Sequence, residues 1–335
     1  MSAGAPAAGV AVDRTADVPG AATAGRPGAV HVGLDIGGTK VLGVAVDDAA
    51  DVLASVRFAT EPGADGVVDV AARTVRALAD RLGPDRPLTG VGVGVPGVVD
   101  AEGVIAHAVN LGVGGEGLAL ADRLGARTGL PVSVDNDVNA AALGAAGLLG
   151  LGDRDLAYLS IGTGLAAGLV LHGRVRRGTR GGAGEIGHVP VDPSGPRCPC
   201  GQTGCLEALV SGTAIARQWP APVDGQPAAH ALLAAAAAGD PAAVAVAGRV
   251  ADHLAAAVQL LVLTVDVDVV VLGGGVADVG EPLRSAVHDA LVRRGATSPF
   301  LASLDLPSRL RLAPAGVPVA AVGAALLAPG RPAAP

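Results

Sequence analysis

The stretch AVHVGLDIGGTKVLGVAV, residues 29–46, is two apolar runs that meet at Gly37-Gly38. Ala29 to Ile36 alternates as a strand does, Val41 to Val46 resumes the pattern, and the glycines between them make the segment a β-hairpin. Gly33-Leu34-Asp35-Ile36-Gly37-Gly38-Thr39-Lys40 has the residue types of a P-loop, but its Lys follows the Thr and a strand follows the glycines, so it fails the Walker context. In a hairpin, Gly37 and Gly38 let backbone N–H groups approach a phosphate with no Cβ in the way, and Thr39 adds a hydroxyl donor. Asp35, at the strand end, is placed to hold Mg²⁺ through water. An ordinary hairpin turn is the competing reading.

Working outward, a strand is expected over Val52–Phe58 and a helix over Gly66–Leu82, stopped by Gly83-Pro84. Val91–Val95 reads as a buried strand closing on Pro96-Gly97, Leu118–Thr128 as a helix, and Val132–Val134 as a short strand. That strand runs into Asp135-Asn136-Asp137 and a helix from Val138 to about Gly147. Leu156–Ile161, Gly162-Thr163-Gly164 and Ala167–His172 then repeat the opening hairpin, which suggests a duplicated architecture. Beyond it, Cys205–Trp219 reads as helical, residues 221–239 as an Ala-rich helix with loop flanks, and Asp240-Pro241 as the start of a long helix to about Leu263. A buried strand, Val267–Leu272, ends in Gly273-Gly274-Gly275, and Val317–Leu327 is a last small-residue helix.

A chain of 335 residues has room for two domains, each with its own core. Half of it is hydrophobic and only 1% aromatic, so those cores must be built from Ala, Val and Leu. A net charge of −7 gives no global attraction to nucleic acid or anionic membrane. Residues 1–28 lack a basic region followed by an apolar one and read as a disordered tail rather than a signal peptide. The most apolar stretch, 254–276, carries Asp266 and Asp268 and is not expected to span a bilayer.

All three cysteines, Cys198, Cys200 and Cys205, lie within eight residues, ten residues and more after His188. Such clustering cannot build a disulfide framework, whereas three thiolates and an imidazole are the ligand set of a closed tetrahedral Zn²⁺ site. Buried free thiols are the bland alternative. Reduced metal-binding thiols fit the cytoplasm. Asp135-Asn136-Asp137 opens a helix, so one Asp can simply be its N-cap, but strand-to-helix junctions are also where open α/β sheets place their sites. Glu185, His188 and Glu207 bring carboxylates and an imidazole to the zinc loop, the vocabulary of polyol recognition. Arg174, Arg176, Arg177 and Arg180 read as a solvated loop, and the other six histidines as surface or core residues.

With these residues in hand, the chain resembles the ROK family of repressors, open reading frames and sugar kinases, within the actin/hexokinase-type superfamily. Leu34 to Lys40 matches the family's first phosphate loop, Gly162-Thr163-Gly164 its second, and Val271 to Val276 its adenosine segment, which together imply ATP. Gly94-Val95-Pro96-Gly97 and Asn110 match sugar-cleft segments, and Val134 to Ala141 matches the catalytic segment. Gly184 to His188 and Cys198 to Glu207 form the most specific match. The resemblance implies Asp137 as catalytic base, with Asn110, Asn136, Glu185, His188 and Glu207 on sugar hydroxyls; His188 then serves both zinc and sugar. It also implies two actin/ribonuclease H-like α/β domains flanking a nucleotide and sugar cleft, 29–141 joined by the C-terminal helix at 318–330, and 142–317 carrying the zinc loop 188–205.

The activity implied is MgATP-dependent phosphorylation of the 6-hydroxyl of a hexose, glucose first, by a homodimer or homotetramer. An amino-sugar kinase is the alternative, because Val113 stands where family members often carry an aromatic and so leaves the sugar open. Leu165-Ala166-Ala167, a less glycine-rich run than the family's, is expected to be neutral for phosphate binding. A sugar-sensing regulator would need a helix-turn-helix unit before the first phosphate loop, and the residues preceding it are low-complexity.

Overall fold

A computed structural model describes residues 28–100, 102–115, 117–220 and 225–331. The tail expected over residues 1–28 lies, but for Gly28, outside the described residues. The opening hairpin is present as β1 (Val30–Ile36) and β2 (Lys40–Val46), antiparallel, with Ile36 opposite Val41 across the glycine turn. β3 (Val52–Ala59) extends it, and α1 (Ala64–Leu82) ends where Gly83 takes a positive φ of 77°. β4 (Leu88–Val95) adds to β1 in parallel. Three short strands that the sequence did not announce, β5 (Val98–Val99), β6 (Val104–His107) and β7 (Leu118–Ala119), then form a small sheet of their own. β7 takes the first two residues of the helix expected at 118, leaving α2 as Leu120–Thr128. β8 (Val132–Asn136) completes the main sheet and runs directly into α3 (Asp137–Leu148), so the strand carries the Asp135-Asn136 pair expected beyond it.

The second hairpin is β9 (Leu156–Ile161) and β10 (Leu165–Leu171), followed by β11 (Arg174–Val175). The helix expected over Cys205–Trp219 is two helices, α4 (Leu206–Val210) and α5 (Gly212–Gln218), broken at Ser211. Ser211 is extended at ψ 160° and its hydroxyl caps α5 by accepting from Ala214 N–H at 3.1 Å. The break turns the Gly212 N–H toward the Gly162 carbonyl, 2.7 Å away. α6 (Ala228–Ala237) and α7 (Pro241–Val265) follow, the latter capped by the Asp240 carboxylate as its sequence predicts. α7 is long and apolar enough to cross a membrane, yet Val246, Val250, Leu254, Val258 and Leu261 are buried in the second core. After β12 (Val269–Gly273) come α8 (Glu281–Ala296), α9 (Pro299–Ser303), α10 (Leu306–Arg309), β13 (Leu310–Leu312) and finally α11 (Val319–Leu326).

The main sheets have orders β3-β2-β1-β4-β8 and β11-β10-β9-β12-β13. In each, an antiparallel hairpin and third strand are extended on the other side by two parallel strands. This is the ribonuclease H-like arrangement twice over, the duplicated α/β fold that the two glycine hairpins announce. Each sheet has its own core, made of Val, Leu, Ile and Ala. α11 returns to the first sheet: a Cβ on Gly33 would stand 1.9 Å from the Ala321 carbonyl oxygen and one on Gly92 1.8 Å from that of Ala324. The same helix crosses α3 through Gly323, where a Cβ would meet the Ala140 oxygen at 1.7 Å. On its other side α3 backs onto the second sheet at Gly168, so one helix touches both halves.

Candidate functional site

β8 delivers its last residues to the N-terminus of α3, and the Asn136 side chain, not an Asp, caps that helix. Its Oδ1 accepts from Val138 N–H at 2.8 Å and Asn139 N–H at 3.3 Å, while its Nδ2 donates to the Gly97 carbonyl at 3.0 Å. Asp137 is therefore free of capping duty, although its Oδ1 also accepts from Val138 N–H at 2.9 Å. Burial raises the Asp137 pKa, backbone hydrogen bonds oppose this, and the nearby Glu185 charge raises it further. Asp35, at the C-terminal end of β1, is pushed up to about 6 by burial and then by Asp137, with Lys40 acting in the opposite direction. Asp35, near the end of β1, thus lies within electrostatic reach of Asp137 at the start of α3, and Asp137 within reach of Glu185 from the other half. Such a group attracts cations and holds a base.

Beside Asp35 opens a cleft of about 520 Å³, lined by Tyr158, Gly273, Gly274, Gly275, Asp278 and the segment 312–320. Gly274 requires its positive φ of 80° and its lack of a side chain, since a Cβ would lie 2.7 Å from the Ile161 carbonyl oxygen. That contact seats the third glycine run on the end of β9, next to the Gly162-Thr163-Gly164 turn. The turn is itself fastened from α4 and α5: Thr213 donates its hydroxyl proton to the Thr163 carbonyl at 2.9 Å, and Glu207 Oε2 accepts from Leu165 N–H at 3.0 Å. At the first hairpin Gly37 N–H donates to the Lys40 carbonyl at 2.9 Å, leaving Gly38, Thr39 and Lys40 exposed. A Cβ on Gly38 would come within 3.0 Å of the Asn110 carbonyl oxygen, so the hairpin turn and Asn110 share one end of the first sheet.

The zinc-loop residues converge. His188 Nδ1 lies 3.8 Å from Cys198 Sγ, and Cys200 Sγ lies 3.7 Å from Cys205 Sγ. A tetrahedron with metal–sulfur bonds of about 2.3 Å has edges of about 3.8 Å, so these separations fit a shared divalent ion. Among the described residues, His188, Cys198 and Cys200 bring one ligand atom each within 4.8 Å of one another. Hydrogen bonds from Gln202 hold the Cys200 thiol well below its ordinary range, whereas burial pushes that of Cys205 up. His188 turns its other ring nitrogen, Nε2, toward Glu185 Oε2 at 3.9 Å. The ring therefore has one nitrogen on the cysteine side and the other toward Glu185.

Four residues of this region were not picked out in the sequence. Tyr158 and Asp278 line the cleft, the tyrosine buried beneath Gly273 and its hydroxyl pushed up to about 12 by that burial. Asn139 donates to Asp135 Oδ1 at 2.9 Å. Arg177 is exposed, as expected of its solvated run, and also forms an ion pair with the buried Asp135. A tyrosine on a strand and an arginine in a basic run carry no local mark of what they meet. Val113, by contrast, is buried in the first core.

The sequence pattern described as the ROK family matches residues 31–331. A glucokinase of Halalkalibacterium halodurans is 35% identical over 275 residues, covering 76% of this chain and 82% of its own. A ROK hexokinase structure from Thermus thermophilus superposes with a TM-score of 0.74 at 36% identity, over 89% of this chain and 97% of the other. The ROK family glucokinase of Streptomyces griseus, solved in complex with glucose and AMPPNP, gives 0.72 at 32% identity, over 89% and 99%. A doubled ribonuclease H-like fold, a cleft lined by Gly273-Gly274-Gly275 and a His-Cys cluster coincide with a family pattern that spans nearly every described residue: the chain belongs to the ROK family.

Proposed function

We propose that this protein is an ATP-dependent hexose kinase that transfers the γ-phosphoryl group to the 6-hydroxyl of glucose. One observation carries the reading: Asp137, raised by burial and presented at the N-terminus of α3, lies within electrostatic reach of Glu185 and of Asp35, which lines the cleft with Gly273-Gly274-Gly275. A carboxylate with an elevated pKa is the stronger base. Asp137 then accepts the proton of the 6-hydroxyl as that oxygen attacks the γ-phosphorus in line. Backbone amides of the turns at Gly37-Gly38-Thr39-Lys40 and Gly162-Thr163-Gly164 cradle the phosphates, and Gly273-Gly274-Gly275 lets adenosine approach the sheet. Asp35 would hold Mg²⁺ through water, and the ion would supply neutralisation of phosphate charge.

The sugar-facing set is Asn110, Asn136, Asp137, Glu185, His188 and Glu207. Three of these reach the sugar with only part of their capacity. Asn136 retains one N–H after bonding Gly97, Glu207 retains Oε1 after accepting from Leu165, and His188 retains Nε2 if its Nδ1 ligates metal. His188, Cys198, Cys200 and Cys205 would hold Zn²⁺ in a closed site whose contribution is to fix the loop. We place the lobe boundary near residue 141, with α11 belonging to the first lobe, and infer closure of the lobes about α3 and α11 on binding. A homodimer or homotetramer in the cytoplasm completes the reading.

A coupled assay across a panel of hexoses and N-acetylated amino sugars tests it. Glucose with ATP is expected to give the highest kcat/KM. Preference for N-acetylmannosamine would move the substrate to the amino-sugar class, and absence of phosphorylation of every sugar would overturn the kinase reading.

A further inference from the structure

The geometry points to Arg177 as a positioning residue that holds the catalytic segment from the opposite half of the molecule. This assignment rests on the kinase reading above. Asp135, one position before the helix cap, is a carboxylate only 2% exposed. Its Oδ1 accepts from Asn136 N–H at 2.7 Å and from Asn139 Nδ2 at 2.9 Å, so a single oxygen gathers the residues on either side of Asp137. Oδ2 is met by Arg177 Nη2 at 2.5 Å, an ion pair rather than an aligned hydrogen bond. Arg177 is 48% exposed and is delivered from beyond β11, on the second sheet.

Its backbone is anchored on both sides. Arg176 N–H donates to the Leu169 carbonyl at 2.8 Å, and the Arg177 carbonyl accepts from Ala183 N–H at 3.1 Å. The loop so closed touches the first half at Gly181, where a Cβ would lie 3.5 Å from the Val99 carbonyl oxygen, and leads straight to Gly184-Glu185. Arg177 thus joins the loop that bears Glu185 and His188 to the junction that bears Asp137. A buried carboxylate without a counter-charge is costly, so the position of each partner is set by the other. The pair fixes the separation between base and sugar ligands, a spacing to which in-line transfer is sensitive.

The test compares Arg177→Gln, Arg177→Lys and Asp135→Asn in the full chain. Arg177→Gln is expected to lower kcat by about 10- to 100-fold and to raise the sugar KM, with the ATP KM within about twofold of wild type. Arg177→Lys, which retains a cation for Asp135, should recover most of that loss. In the Asp135→Asn background the Arg177→Gln change should cost almost nothing further, as coupled partners require. Hydrogen exchange supplies a readout besides activity: the Val138 and Asn139 amides should exchange at least about tenfold faster in Arg177→Gln, with the Leu34 amide of β1 unchanged. Equal acceleration at Leu34, or none at Val138 and Asn139, would overturn the positioning role. So would a kcat within twofold of wild type. Should the wild type phosphorylate no sugar, the proposed function falls and the exchange comparison still decides the contact.

Discussion

Asp35, near the end of β1, and Asp137, at the start of α3, are both raised by burial, and Asp35 also by the Asp137 charge. Asp137→Asn keeps the shape and most hydrogen bonds but removes the base. Phosphoryl transfer should fall by several orders of magnitude while glucose affinity and melting temperature change little; turnover within tenfold of wild type would refute the assignment. Asp35 gives a stability prediction. Its pKa in the folded chain, about 6, lies above the ordinary 3.8, so the folded state binds the proton more tightly than the unfolded state does. The associated stabilisation is full below pH 3.8 and is lost as pH rises through 6. At pH 7.5 the ionised carboxylate costs up to about 3 kcal/mol. Asp35→Asn should therefore raise the melting temperature by several degrees at pH 7.5 without ligands, raise it less at pH 5 and not at pH 3.5, while reducing kinase activity. An equal gain at all three values would show that the burial of Asp35 is not responsible.

At the scale of elements, the loop and helix that follow His188 carry the most specific sequence pattern and also the clearest disagreement with it. Helical periodicity over Cys205–Trp219 runs through Ser211-Gly212, although Ser-Gly is a local turn and N-cap signal. Tertiary contacts fix the interruption: Gly212 N–H satisfies the Gly162 carbonyl and Glu207 satisfies Leu165 N–H. α4 thereby links the cysteine cluster to the second glycine turn. Metal analysis should find about one Zn²⁺ per chain. Cys200→Ser should lower sugar affinity strongly and destabilise the second half, with ATP affinity little altered by isothermal titration. Metal-free protein of full stability and unchanged sugar affinity would overturn both the ligand set and its organising role. α8 is legible in Glu281-Pro282 and in the helical spacing of Leu283, Val287, Ala290 and Leu291, whereas the three-residue β13 is too short for any period to reveal.

For the whole molecule, α3 and α11 join the two halves: α11 lies on the first sheet and crosses α3, which backs onto the second. Their crossing at Ala140 and Gly323 leaves no space for a side chain. Gly323→Val should therefore cost at least about 3 kcal/mol or abolish soluble expression, as overpacking against backbone does. Gly248→Ala, in the interior of α7 with open space at its Cβ, is the control and should stabilise by about 0.5–1 kcal/mol. Thermal melts of the two variants check this, and a tolerated Gly323→Val would remove the close crossing as a constraint.

Sequence alone determined what depends on neighbours in the chain: both hairpins with their glycine turns, the Asp240-Pro241 start of α7, and the His-Cys spacing of the metal cluster. These rest on dihedral preference, capping and ligand reach, which act over a few residues. Tertiary structure decided the rest. That Asp35 titrates near 6 requires Asp137 to arrive from β8 and both to be shielded from water. That Asn136 rather than an Asp caps α3, with its amide donating to the Gly97 carbonyl, is a feature of the folded chain. Arg177 leaves its basic run for Asp135 because a buried carboxylate on one sheet lies within reach of a loop on the other. Electrostatic energy inside a protein depends on separation and burial in space, and neither is written in the order of residues along the chain.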